Sequence, residues 1–322
     1  MLPVRRNQEN MNKKFALVTD FGCALTKDLR DRFQIDAHVD GNVTYPDGHT
    51  IKSDLDWKTM TPEQYFNSFK DKKFILKTSC PNIDEIETMF LPFAKEGRDI
   101  LMVTISHGLS GTYNFALKAA EKVMSEYPSV KVRIVDSLRY STAQGMLLSY
   151  ASKLREEGKS CDEVADWLEE NKQCFHQIGI MDDLFFLART GRVNKAAAFM
   201  GTLVGVEPMA DFSSNGLCTV IGKGKGKKKS LDAAVAYLQK LAIDPKNQVL
   251  FLAHSLREKE AEYFKKIIEE RVGPKEVIVS SVDMVCGANI GPGLVAVFFY
   301  GQKITEDLSA EKAALADCLQ GK

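Results

Sequence analysis

The feature that most constrains the fold is a unit of short apolar run, polar end and amphipathic helix, which occurs three times in the first half of the chain. Phe15 to Thr19 ends on Asp20, and Thr26 is placed to cap the helix that follows. Ile100 to Ile105 leads through a glycine-containing loop into a helix from about Thr112 to Glu126. Val130 to Val135 ends on Asp136-Ser137 and precedes a helix from about Thr142 to Glu157. A strand that is apolar throughout must be covered on both faces, so the repetition predicts a parallel sheet between two layers of helices. Such sheets hold ligands beyond the carboxyl ends of their strands. Those ends are here Thr19-Asp20, Ser106-His107 and Asp136-Ser137.

The pattern changes after Cys161. A helix over Asp162 to Asn171 and a strand over Phe175 to Met181 are followed by short helical stretches around Leu184 to Leu187 and Ala196 to Leu203. A hairpin over Gly205 to Asp211 and Leu217 to Gly222 turns at Ser214-Asn215-Gly216. Helices over Leu231 to Leu241 and Glu258 to Arg271 then alternate with strands over Gln248 to Ala253, Val277 to Val282 and Leu294 to Tyr300. The 322 residues exceed what one core usually serves, roughly 250–300 residues. The reading is therefore α/β with two domains, 14–165 as three layers (α/β/α) on a parallel sheet and 166–322 as two layers on a mixed sheet. The boundary falls near 158–172, and residues 1–13 read as a disordered lead-in.

Lysine plus arginine equals aspartate plus glutamate at 43 each, which argues against a general nucleic-acid binder. The seven cysteines are scattered, with no CxxC pair, so neither a disulfide framework nor a zinc site is expected. No metal and no cofactor is called for. With no apolar run approaching a membrane span, the expectation is a cytoplasmic protein.

Four segments carry candidate chemistry. Gly108-Leu109-Ser110-Gly111-Thr112 fails as a nucleophile elbow because Thr112 stands where glycine is needed. It reads either as a helix cap or as an anion site of hydroxyls and backbone N–H groups, with Ser110 and Gly111 as donors. The run from Gly222 to Ser230 fits no phosphate-loop pattern. Its lysines (Lys223, Lys225, Lys227, Lys228, Lys229) form either a solvated turn or a dock for an acidic partner or an anionic membrane. Gly287 to Gly293 is a constrained loop between strands that could present Asn289. Thr78-Ser79-Cys80-Pro81-Asn82 reads as the capped start of a helix over Ile83 to Phe93, or as part of a site.

Taken in order, TDFGCALTKDL (from Thr19), KTSCPN (from Lys77), ISHGLSGTYNFA (from Ile105), VDSLRYSTAQG (from Val135), LARTGRVNKAAAFMG (from Leu187) and GANIGPGLVAVF (from Gly287) resemble the DegV family over nearly the whole chain. That resemblance implies a two-domain bacterial carrier without catalytic residues, holding one long-chain fatty acid between its domains and presenting the carboxylate to a separate fatty-acid kinase subunit. It implies carboxylate contacts at Thr78, Ser79 and Ser106, and a tail tunnel for which Phe185, Phe186, Phe199, Met200 and Leu203 are candidates. Arg192, in the family's Gly-Arg segment, is expected to share an edge with Lys225, Lys227 and Lys228 as a partner dock. The chain departs from the family pattern at Cys80, where Gln is common, at His107, where a second Ser is usual, and at Asn289, where His is frequent. One reading is that the imidazole has moved across the head-group site; another is a different head group. From a different class, the residues also admit an enzyme acting on an acyl or small phosphorylated substrate, with His107 as general base and Asn289 among the oxyanion donors. The sequence shows no evident nucleophile for His107.

Overall fold

In the first half of the computed structural model, strand β1 (Phe15–Asp20) leads to helix α1 (Lys27–Arg32), β2 (Ala37–Val39), β3 (Asn42–Thr44) and β4 (Thr50–Lys52). Then come α2 (Pro62–Asn67), β5 (Lys77–Ser79), α3 (Ile83–Lys95), β6 (Asp99–Thr104), α4 (Thr112–Glu126), β7 (Val132–Asp136), α5 (Thr142–Glu156) and α6 (Cys161–Asn171). The second half runs β8 (Phe175–Ile180), α7 (Phe185–Thr190), β9 (Val206–Phe212), β10 (Cys218–Lys225), α8 (Lys227–Leu241) and β11 (Val249–His254). It closes with α9 (Glu258–Arg271), β12 (Glu276–Ser281), α10 (Met284–Ile290), β13 (Val295–Tyr300) and α11 (Ser309–Gln320). The structure describes residues 15–71, 73–182, 184–193 and 205–321. The expected lead-in over 1–13 and the tunnel candidates Phe199, Met200 and Leu203 lie outside the described residues.

The parallel sheet expected from the repeated unit is present, in the order β2-β1-β6-β7. Its strands are covered on both faces: Ala16, Val18, Ile100 and Met102 pack with Phe90 of α3 and Ala116 of α4. Leu17, Leu101 and Val103 face the other way, toward Met146 and Leu147 of α5. The second sheet is mixed, in the order β12-β11-β13-β8, with β11 and β12 parallel and the other pairs antiparallel. Helix α5 packs against strands of both sheets, including β6, β8, β11 and β13. Its residues from Thr142 to Leu148 are all buried, as befits a helix enclosed on every side.

The amphipathic helices start where their sequences supply caps. Asn82 and Ser160 accept from the backbone N–H three residues on, while Glu85 and Glu163 return the bond, closing capping boxes at α3 and α6. Two features were not anticipated. A small antiparallel sheet, β4-β3-β5, is inserted between β2 and α3. The segment read as a loop from Gly287 is instead the body of α10, capped by Asp283 Oδ1 accepting from Cys286 N at 2.8 Å. Only Gly291 to Gly293 form the turn, and Gly291 (φ 75°) leaves room for the Phe186 ring, which a Cβ there would meet at 2.1 Å.

Candidate functional site

Five segments converge on one cleft of about 200 Å³ near the carboxyl ends of β1 and β6. Thr78, Ser79 and Cys80 come from β5 and the turn after it, and Ser110 and Gly111 from the turn that opens α4. Val285, Cys286, Asn289 and Ile290 come from α10, Leu187 from α7, and Arg192 from just beyond α7. Phe21, Ile105, Leu109 and Tyr140 complete the wall. The cleft is thus polar on one side, with hydroxyls, an amide and a guanidinium, and apolar on the other.

The polar side is pre-arranged by internal hydrogen bonds. Asn289 Nδ2 donates to Thr78 Oγ1 at 3.3 Å and to the Val285 carbonyl, one helical turn back, at 2.8 Å. Ser79 Oγ accepts from Asn42 Nδ2 at 3.2 Å. Both hydroxyls therefore use a lone pair on a protein donor and keep their own O–H for a ligand. Ser110 and Thr112 share a hydroxyl–hydroxyl bond at 2.9 Å. Arg192 Nη1 donates to the Thr190 carbonyl at 2.5 Å, anchoring the guanidinium at the rim.

Beneath the cleft lie two buried carboxylates. Asp20, at the end of β1, accepts from Gly22 N, Ile105 N and Gln144 Nε2, yet burial still pushes its pKa up to about 6. Burial likewise pushes Asp283, the cap of α10, up to about 6, against the opposing pull of the Cys286 N–H and the Ser141 side chain, and its Oδ2 makes no hydrogen bond of ordinary length among the described residues. Burial pushes the Cys286 thiol well above its ordinary range, with the charge of Asp283 adding to the effect, so this thiol in the cleft wall stays protonated.

Of the residues singled out in the sequence, the cleft brings together Thr78, Ser79, Ser110, Gly111, Asn289 and Arg192. It does not include Ser106 or His107. Ser106 is fully buried, its Oγ accepting from Gly108 N at 3.2 Å. It lies against Gly216 at the hairpin turn of β9 and β10, where a Cβ would come within 2.2 Å of that oxygen. His107 turns its Nδ1 to Asp136 Oδ2 at 2.5 Å, with its side chain 49% exposed. No hydroxyl or thiol among the described residues is hydrogen-bonded to its ring. Phe185 is 39% exposed, and Phe186 packs edge-on to Phe69 at 5.4 Å; neither lines the cleft.

The lysine run is divided between two elements. Lys225 ends β10 as an exposed residue, while Lys227 opens α8 and pairs with Asp182 at 3.3 Å and Glu260 at 3.4 Å. Lys228 lies over the Tyr263 ring at 5.7 Å. Among the described residues no group of three His, Cys, Asp or Glu could hold a metal ion. No described helix is long and apolar enough to cross a membrane. Sequence reasoning did not single out Tyr140, Leu187, Val285 or Ile290, since an apolar cleft wall and a plain core read alike.

A family model described as "Uncharacterised protein, DegV family" matches residues 14–302. The chain belongs to the DegV family. It is 32% identical over 289 residues to a DegV domain-containing protein of Clostridium perfringens, spanning 90% of this chain and 98% of that one. Among solved structures it resembles a DegV family protein from Eubacterium eligens loaded with heptadecanoic acid, with a TM-score of 0.77 and 26% identity over 89% of this chain and 100% of the other. A DegV family protein from Thermus thermophilus, described for its fatty-acid binding, gives a TM-score of 0.79 and 26% identity, over 89% of this chain and 99% of that one. The three-layer and mixed-sheet arrangement expected from the sequence is the DegV fold.

Proposed function

We propose that this DegV protein holds one long-chain fatty acid and presents its carboxylate to a separate fatty-acid kinase. The observation that carries the proposal is the division of the cleft: two hydroxyls that each accept one bond from a protein amide and keep their O–H, and a guanidinium, on one side, Phe21, Leu187, Val285 and Ile290 on the other. A carboxylate only accepts hydrogen bonds, so Thr78, Ser79 and Arg192 suit its oxygens, with Ser110 and Gly111 beside them. Affinity comes from the tail. Burying about 14 methylenes at about 0.8 kcal/mol each gives on the order of 10 kcal/mol before ordering costs. Each charge-assisted hydrogen bond adds roughly 1.5–3 kcal/mol. The heptadecanoic acid held by the Eubacterium eligens protein and the fatty-acid binding of the Thermus thermophilus protein support the same ligand class here.

Carriage is favoured over catalysis because the His107 ring, although oriented by Asp136 as a general base would be, does not line the cleft. The exposed lysines at the end of β10 and the start of α8 would serve an acidic face of the kinase or an anionic membrane, and Arg192 would act at the cleft rim. Incubating the loaded protein with a fatty-acid kinase and ATP tests the presentation step. Acyl phosphate should form only when this chain is present; equal turnover of free fatty acid by the kinase alone would contradict it.

A further inference from the structure

Asn289 is the half-buried residue of an otherwise buried helix, and it lines the polar side of the cleft. Its hydrogen bonds fix which end of the amide faces the ligand. The Val285 carbonyl can only accept, so the nitrogen must lie on that side, and the second N–H of the same nitrogen goes to Thr78 Oγ1. Both donors are spent inside the protein. What Asn289 offers to the cleft is Oδ1, an acceptor, for which no partner is found among the described residues.

The head-group site therefore has a definite complement. Thr78 and Ser79 present O–H donors and Arg192 presents N–H donors, whereas Asn289 presents a lone pair. A bare carboxylate satisfies the donors and opposes a lone pair to Asn289 Oδ1. We propose that the head group preferred by this protein carries a hydrogen-bond donor of its own, received by Asn289 Oδ1. This rests on the fatty-acid-carrier reading and narrows its ligand class. The donor has two chemical sources, a hydroxyl on the carbon next to the carboxylate, or a head group that is neutral and protic. Arg192 at the rim favours an ionised carboxylate, so the 2-hydroxy fatty acid is the better match.

The experiment is displacement of a fluorescent fatty acid from delipidated full-length protein by palmitate, 2-hydroxypalmitate and hexadecanamide. One added hydrogen bond of ordinary strength should make 2-hydroxypalmitate bind roughly three- to tenfold more tightly than palmitate. A gain for hexadecanamide as well assigns the donor to a neutral head group; a gain for 2-hydroxypalmitate alone assigns it to the hydroxyl. In Asn289→His, whose imidazole can offer an N–H instead, the preference should vanish; a preference that survives overturns the role of Asn289. Equal or weaker binding of both protic ligands by the wild type, with palmitate still bound, overturns the proposal and leaves carriage intact. Failure to bind any of the three overturns both.

Discussion

Replacing Asp283 by asparagine should stabilise the protein above pH 6 and leave it little changed near pH 4. Asp283 caps α10, the helix that brings Cys286 and Asn289 to the cleft, and burial raises its pKa from 3.8 to about 6. Between those values the native state keeps a proton that the unfolded chain releases, so stability is full below pH 4 and is lost as the pH rises through 6. The loss at neutral pH is on the order of 3 kcal/mol. No cation pairs with this carboxylate among the described residues, and the neighbouring Asp20 repels it. An asparagine keeps the cap, since its Oδ1 can accept from Cys286 N as the aspartate does. Its amide nitrogen replaces Oδ2, which, like Ser141 Oγ, makes no hydrogen bond of ordinary length among the described residues. If that nitrogen gains no acceptor, part of the benefit is cancelled, so the expected net gain at pH 7.5 is about 1–3 kcal/mol. Urea unfolding of delipidated wild type and Asp283→Asn from pH 4 to pH 8 measures it, because bound ligand would otherwise add to apparent stability. A difference between the two proteins that does not change with pH would refute the reasoning.

Three further outcomes follow from the cleft. Thr78→Ala with Ser79→Ala should weaken fatty-acid binding by about 2 kcal/mol, roughly thirtyfold in Kd by probe displacement, without changing chain-length preference. His107→Ser should leave that affinity within about twofold, because the ring is held by Asp136 and does not line the cleft; a loss of tenfold would place the imidazole at the head group. Charge reversal at Lys223, Lys225 and Lys228 should reduce acyl phosphate formation with the kinase while ligand content is unchanged, whereas Arg192→Ala should lower ligand content as well, measured by lipid extraction from the same samples.

The parallel sheet was legible through its two central strands, which hold the apolar runs beginning at Phe15 and Ile100 and are six residues each and buried but for Asp99, whereas the edge strand β2, three residues long and half-buried, gave no signal. Helix α4 falls on the bounds expected from its apolar stripe, Thr112 to Glu126. The strands of the small sheet, at three residues each and partly exposed, are too short for any alternation to register. Thr78 and Ser79 were therefore found as a motif, and their placement on a strand edge was not. Helix α10 was hidden by its glycines. Gly287 sits where a Cβ would meet the Phe66 ring at 2.8 Å, so its glycine serves close packing within a helix, and the one local signal was the Asp283 cap. The lysine run read as a single patch, but Gly226, at φ 74°, breaks it into the end of a strand and the start of a helix, and Lys227 is tied to Asp182 and Glu260. Arg192, expected on a partner surface, lines the cleft, a distinction that depends on how the chain turns after α7 and has no signature in composition.

The central claim is that the cleft is built around a fatty-acid carboxylate with its tail in the apolar wall. Mass spectrometry of the protein purified from a bacterial host, first under native conditions and then after denaturation and lipid extraction, tests it directly. The native mass should exceed the chain mass by one C14–C18 fatty acid, and extraction should release that acid at close to one per chain. A native mass equal to that of the bare chain, with no affinity when palmitate is added, would contradict the claim.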